Sequence, residues 1–124
     1  MRVPRVLIVE DNLLNMELAT DVLEAAGYEV RQAWTAEDGL AAARADGPDV
    51  VLMDLGLPGM DGLAATRLLK EDAATRDLPV IALTAHAMSG DRERALEAGC
   101  DAYVSKPIDT RTLAETIGRY VRTA

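Results

Sequence analysis

Short β-branched runs recur along this chain, each followed by a longer segment of helical spacing, and this alternation restricts the fold more than any other feature. The runs are Val6-Leu7-Ile8-Val9, Tyr28-Glu29-Val30, Val50-Val51-Leu52-Met53, Val80-Ile81-Ala82-Leu83 and Ala102-Tyr103-Val104. The stretches between them, roughly 10 to 15 residues, are long enough for the crossovers that parallel strands need. The third and fourth runs are apolar without alternation, as in parallel strands covered on both faces. The second is more polar and suits an edge. Five such units predict an α/β fold, a five-stranded parallel sheet flanked by five helices. The 124 residues fit a single domain spanning 1–124.

Local signals punctuate the helices. Thr35 with Asp38 resembles a capping box, and Asp61, Ser89 and Asp109 are candidate N-caps. Gly27, Gly47 and Gly99 stand where helices should stop. Leu113, Ile117, Tyr120 and Val121 repeat on one face of the last helix. On the first helix, Leu14, Leu18, Val22, Ala25 and Ala26 are expected to share the buried face, with Leu23 at its margin. Leu13 falls among the polar residues Glu17, Thr20, Asp21 and Glu24, either as a tolerated surface leucine or as a partner contact.

Composition removes several classes. One cysteine allows no internal disulfide and no Cys-rich zinc site, and a free thiol suits a reducing cytoplasm. A net charge of −8 argues against binding nucleic acid through its phosphates. No run approaches the ~20 apolar residues of a membrane span, and the N-terminal apolar run is too soon broken by acid to be a signal peptide.

Ligands of open α/β sheets bind beyond the carboxyl ends of the strands. Those ends carry Glu10-Asp11-Asn12, Asp54, Thr84-Ala85 and Ser105-Lys106-Pro107. Each residue alone has an ordinary explanation as a cap, a turn former or a solvated charge. Together they place three carboxylates, a hydroxyl and an ammonium at one edge. Converging carboxylates repel and call for a cation, and oxygen donors without His or Cys favour Mg²⁺ or Mn²⁺. Such a site also accepts phosphoryl oxygens. Asp54, central in the sheet, is the candidate nucleophile, with Lys106 and Thr84 to meet the phosphoryl oxygens.

The motifs VLIVEDN at 6–12, VLMDLGLPGMDG at 51–62, ALTAHAM at 82–88 and YVSKPI at 103–108 resemble those of response-regulator receiver domains over essentially the whole chain. The likeness extends to DivK-type single-domain regulators of bacterial cell division and polarity. The stretch GDRERALEAGCDAYVSKPI also looks like receivers of hybrid histidine kinases. The resemblance implies strand order 2-1-3-4-5, two helices on one face and three on the other, and a cis Lys106-Pro107 bond. It implies Asp54 as phospho-acceptor, Glu10, Asp11, Asp54 and the Gly56 carbonyl as Mg²⁺ ligands, and Thr84, Lys106 and Tyr103 as switch residues. Gly56 and His86 occupy positions that bear on phosphoryl lifetime in receivers.

The implied function is transfer of a phosphoryl group from a histidine kinase or histidine phosphotransfer protein, followed by its slow loss to water, with no other enzymatic activity. Implied partners are that donor, docking beside the first helix, and an effector or adaptor that meets the fourth-helix, fifth-strand and fifth-helix face. Docking candidates are Leu13, Asn15, Met16, Pro107 and Ile108. The expected protein is a cytoplasmic monomer that contacts neither nucleic acid nor membrane. A phosphorelay shuttle and a receiver cut from a hybrid histidine kinase stay open as alternatives. A phosphatase of the haloacid-dehalogenase type needs a second acid where Gly56 stands. A nucleotide-binding protein needs a Gly-rich loop where Glu10-Asp11-Asn12 stands.

Overall fold

A computed structural model describes residues 3–57, 59–85 and 90–121 of the chain. Strands β1 (Arg5–Val9), β2 (Glu29–Ala33), β3 (Val50–Asp54), β4 (Val80–Thr84) and β5 (Ala102–Ser105) alternate with helices α1 (Leu13–Ala25), α2 (Ala36–Asp46), α3 (Gly62–Glu71), α4 (Asp91–Ala98) and α5 (Thr110–Tyr120). All pairings are parallel and the order is β2-β1-β3-β4-β5. The expected architecture and order are therefore both found.

Alternation along the central strands builds two cores. Leu7, Val9, Val51, Met53, Val80 and Ala82 face α2, α3 and α4, meeting Leu40, Ala43, Ala65, Leu69 and Ala95. Val6, Ile8, Val50, Leu52, Ile81 and Leu83 face α1 and α5, meeting Met16, Ala19, Leu23, Leu113 and Ile117. Three helices thus cover one face and two the other. The pairings Val9↔Met53, Asp54↔Leu83 and Thr84↔Ser105 bring the carboxyl ends of the strands to one edge.

Most caps follow the sequence. Side-chain oxygens of Asn12, Thr35, Asp61 and Asp109 accept the backbone N–H three residues on, at 2.8–3.1 Å. Gly47 and Gly99 close α2 and α4 in the left-handed conformation. The N-cap position of α4 is Gly90, and Ser89 lies outside the described residues.

Two expectations need correction. Strand β2 runs from Glu29 to Ala33, later than the Tyr28-Glu29-Val30 run, because pairing with Arg5–Val9 fixes its length. The buried face of α1 is Met16, Ala19 and Leu23, while Leu14 is 74% and Leu18 38% exposed. The sheet selects the face from which a compact Ala19 lets the helix approach, not the face with the most leucines. Among the described residues no helix is long and apolar enough to cross a membrane.

Candidate functional site

Two loops and two strand ends assemble the acid cluster. Glu10 follows β1 directly, and its backbone N–H donates to the Ala33 carbonyl at 3.1 Å, continuing the β1–β2 ladder one step. That step turns the Glu10 side chain into the protein, where it is wholly buried. Its Oε1 accepts the Asn12 N–H at 3.0 Å. Asp11, one residue on, is exposed. Asp54 ends β3 and is 2% exposed; its Oδ1 accepts the Gly56 N–H at 3.0 Å and the Lys106 ammonium at 3.1 Å. Thr84, also buried, ends the neighbouring strand. Its carbonyl accepts the Lys106 N–H at 2.7 Å, which fixes the start of the loop that follows β5. The Lys106-Pro107 peptide is cis.

Glu10, Asp11 and Asp54 each offer a carboxylate oxygen within 4.8 Å of the others. Lys106 also approaches Glu10 Oε2 to 3.4 Å as an ion pair, yet that buried oxygen has no hydrogen-bond partner among the described residues. Burial pushes the Glu10 carboxyl up to about 6, opposed by the Asn12 hydrogen bond, while the Asp54 charge adds to the rise and Lys106 offsets it. Burial alone would lower Lys106. The hydrogen bond and charge of Asp54, then the charge of Glu10, outweigh it and raise its pKa. An orphaned buried carboxylate oxygen and an all-oxygen donor set fit a hard divalent cation.

Above the cluster lies a cavity of about 290 Å³, lined in part by Asp54, Gly56 and Thr84. Gly56 lets solutes approach: a Cβ there would stand 3.6 Å from Asp54 Oδ1, so its absence widens the mouth. Gly62 draws α3 against the site. A Cβ at Gly62 would collide with the Asp54 carbonyl oxygen and sit 2.9 Å from its carbonyl carbon.

The other sequence candidates scatter. Tyr103 is partly buried beside the α2–α4 core, with the Arg92 guanidinium 5.6 Å from its ring centroid. Leu13 is 58% exposed, Asn15 is half-buried, and Pro107 is exposed. Met16 has no exposed surface and Ile108 is buried in the α1–α5 core, so both are withdrawn as docking residues. His86 lies outside the described residues. Sequence reasoning missed Arg94 and did not place Asp61 in the site; both line the cavity. Asp61 was legible only as the cap of α3, which it is. The only signal for Arg94 is its place near the start of the helix that follows β4, a position that points back to the same sheet edge.

The response regulator receiver domain model matches residues 6–118. The polar-differentiation response regulator DivK of Brucella ovis is 49% identical over 116 residues, covering 94% of each chain. A CheY-like receiver protein of Methanospirillum hungatei superposes with a TM-score of 0.87 at 32% identity, over 95% of this chain and 93% of the other. The receiver domain of a Pseudomonas aeruginosa sensor histidine kinase, solved with a magnesium ion in its active-site cleft, gives a TM-score of 0.89 at 35% identity, over 96% and 98%. The chain belongs to the response regulator receiver family, the phosphorylated arm of two-component signalling.

Proposed function

We propose that residues 1–124 form one receiver domain acting as a response regulator by itself, with Asp54 as its phospho-acceptor. The observation that carries this reading is the buried Asp54, hydrogen-bonded to Lys106 at 3.1 Å beside two further carboxylates and under an open cavity. In the forward step an Asp54 carboxylate oxygen bonds to the phosphorus of a phosphohistidine. The P–N bond breaks, its electron pair returns to the imidazole nitrogen, and that nitrogen takes a proton. In the reverse-signal step water attacks phosphorus, the P–O bond to Asp54 breaks, and inorganic phosphate leaves. Lys106, already on Asp54, is placed to hold a phosphoryl oxygen, and the Thr84 hydroxyl to donate to another. Glu10, Asp11, Asp54 and the Gly56 carbonyl would hold Mg²⁺, which supplies positive charge against the phosphoryl oxygens. Mn²⁺ shares that donor preference and would substitute.

The exposed Leu13 at the start of α1, just after Asp11 and Asn12, suits docking of a histidine kinase or phosphotransfer protein, with the half-buried Asn15 and the exposed Leu14 and Leu18 on the same helix. The face carrying Leu96, Tyr103 and Tyr120 suits an effector or adaptor whose binding depends on phosphorylation. A part in cell division or polarity is supported by the DivK relatives, and a cytoplasmic monomer goes with it. A second reading, a receiver working within a hybrid histidine kinase, is favoured by the likeness to the Pseudomonas kinase receiver. Pull-down with and without beryllofluoride separates them: binding only to histidine-bearing proteins supports the second.

The acceptor assignment is tested by adding Mg²⁺ and then beryllofluoride, a phosphoryl mimic, to wild type and to Asp54→Asn while backbone amides are followed by NMR. Shifts spreading from residue 54 to Thr84, Tyr103 and α4 in wild type alone are expected. The same shifts in Asp54→Asn would remove Asp54 from the role.

A further inference from the structure

Two exposed apolar surfaces of this chain carry charge of opposite sign. We propose that the groove between α4 and α5, over β5, takes an acidic partner segment bearing apolar anchors; this rests on reading that face as the effector surface.

Shape is the first argument. Leu96, Tyr103 and Tyr120 wall a groove of about 240 Å³. That falls below the roughly 300–1,000 Å³ of pockets that enclose a small molecule, and it suits side chains projected from another protein. Leu96 is 46% exposed and both tyrosines are half-buried. Tyr120 is held in place, its hydroxyl donating to the Asp101 carbonyl at 3.1 Å. A fixed aromatic loses little freedom when a partner covers it.

Charge is the second argument. Arg92 and Arg119 line the same groove. Both are exposed, and among the described residues neither has a carboxylate partner. Arg92 lies over the Tyr103 ring, 5.6 Å from its centroid, a contact that positions the guanidinium without neutralising it. The acid in the lining is Asp101, whose Oδ2 already accepts the Lys70 ammonium at 3.1 Å and the Val80 N–H at 2.8 Å. Glu93 and Glu97 of α4 and Glu115 of α5 are exposed but do not line the groove. The groove is therefore basic on a chain whose net charge is −8. The planar fork of arginine matches carboxylates.

Helix α1 is the contrast. Leu13, Leu14 and Leu18 are exposed there, and every ionisable side chain of that helix is an exposed acid, namely Glu17, Asp21 and Glu24. A segment whose charge suits the groove is repelled by α1, and the reverse holds for a basic segment. The sign of the charge thus sorts a regulated partner to the groove and away from the surface beside the phosphoryl-transfer site.

The test is an NMR titration with two helical peptides of about 20 residues that share one leucine stripe and carry Glu or Lys at their polar positions. Wild type, Arg92→Gln, Arg119→Gln and the double charge reversal Arg92→Glu with Arg119→Glu are titrated in Mg²⁺, with and without beryllofluoride. The Glu peptide should shift the amides of Leu96, Tyr103 and Tyr120 and bind wild type about fivefold more tightly than the Lys peptide does there, although net charge alone favours the Lys peptide. The Lys peptide should instead shift Leu14 and Leu18. Affinity for the Glu peptide should fall about threefold in each single variant, and the preference at the groove should invert in the double reversal. Failure of the Glu peptide to shift the groove in any state would overturn the proposal. So would a Lys peptide that binds the groove equally well, affinities unmoved in both single variants, or a single-stranded oligonucleotide that shifts the groove as strongly as the Glu peptide. Binding of the Glu peptide to the groove that is equal with and without beryllofluoride keeps the partner chemistry and rejects only the phosphorylation-dependent effector reading.

Discussion

Two glycines in helices have opposite meanings at the residue scale. Gly62 opens α3 where a Cβ would collide with the Asp54 carbonyl and stand 3.0 Å from the Leu55 Cα. Those are backbone atoms at the end of β3 and cannot rotate away. Gly118 lies in α5, where a Cβ would meet only the Tyr28 hydroxyl at 3.5 Å, an ordinary contact. Gly62→Ala is expected to destabilise by about 1–3 kcal/mol or more, as overpacking does, and to weaken beryllofluoride binding by displacing Asp54. Gly118→Ala is expected to stabilise by about 0.5–1 kcal/mol, because alanine is the better helix former and its unfolded chain has less freedom to lose. Urea unfolding midpoints measure both. Equal midpoints for the two variants would mean that α3 does not press on β3 as described. The residues of the candidate site were legible at this scale because a parallel sheet lines up its strand ends, so Glu10, Asp11, Asp54, Thr84 and Lys106 converge wherever the strands are found. Arg94 was not, because its place depends on the tilt of a helix whose apolar pattern is almost absent.

At the scale of elements, the central strands and β5 were readable and the extent of β2 was not. Strands β3 and β4 are buried along their whole length, so their composition declares them. Strand β2 has only Ala33 buried, and its extent comes from hydrogen bonding to β1, which composition does not record. Helix α1 misled because Leu14 and Leu18 outweigh Met16 and Ala19 in any count of hydrophobicity, whereas the sheet is contacted by the latter pair. An equally hidden link lies at the edge remote from the site. The Lys70 ammonium of α3 donates to the Leu78 carbonyl at 2.8 Å and to Asp101 Oδ2 at 3.1 Å. The same Oδ2 accepts the Val80 N–H at 2.8 Å. One lysine thereby ties α3 to the entrances of β4 and β5. Lys70→Met keeps the length of the stem and removes the donor, so the Leu78 carbonyl and Asp101 lose a partner. The expected loss is about 0.5–1.5 kcal/mol of stability, since these groups are only partly buried, read from denaturant midpoints, with beryllofluoride affinity unchanged. A changed affinity with unchanged stability would place Lys70 in the switch and not in the frame.

The molecule as a whole carries a net charge of −8 and gathers three of its acids at one point. Both features make added cations stabilising, but by different routes. Diffuse charge is relieved by any salt, since screening depends on ionic strength and not on the identity of the ion. The cluster is different. Among the described residues, Glu10 is buried with an unsatisfied oxygen beside the equally buried Asp54, and burial and the Asp54 charge both disfavour its ionised form. A divalent cation that binds there binds only the folded chain, because the unfolded chain does not bring residues 10, 11 and 54 together. Binding to the native state alone stabilises by about 2.7 kcal/mol when the ligand is at 100 times its Kd. Mg²⁺ is therefore expected to raise the thermal midpoint at neutral pH, with EDTA restoring the original value. NaCl at equal ionic strength should give a smaller rise. Asp11→Ala separates the routes. Asp11 is exposed, so its removal leaves the core intact and lowers the net negative charge by only one. The response to NaCl should survive nearly whole in that variant, and the excess due to Mg²⁺ should disappear. If Mg²⁺ and NaCl act alike in wild type, or if Asp11→Ala keeps the Mg²⁺ excess, then the charge of the whole surface accounts for the effect and Asp11 does not hold the ion.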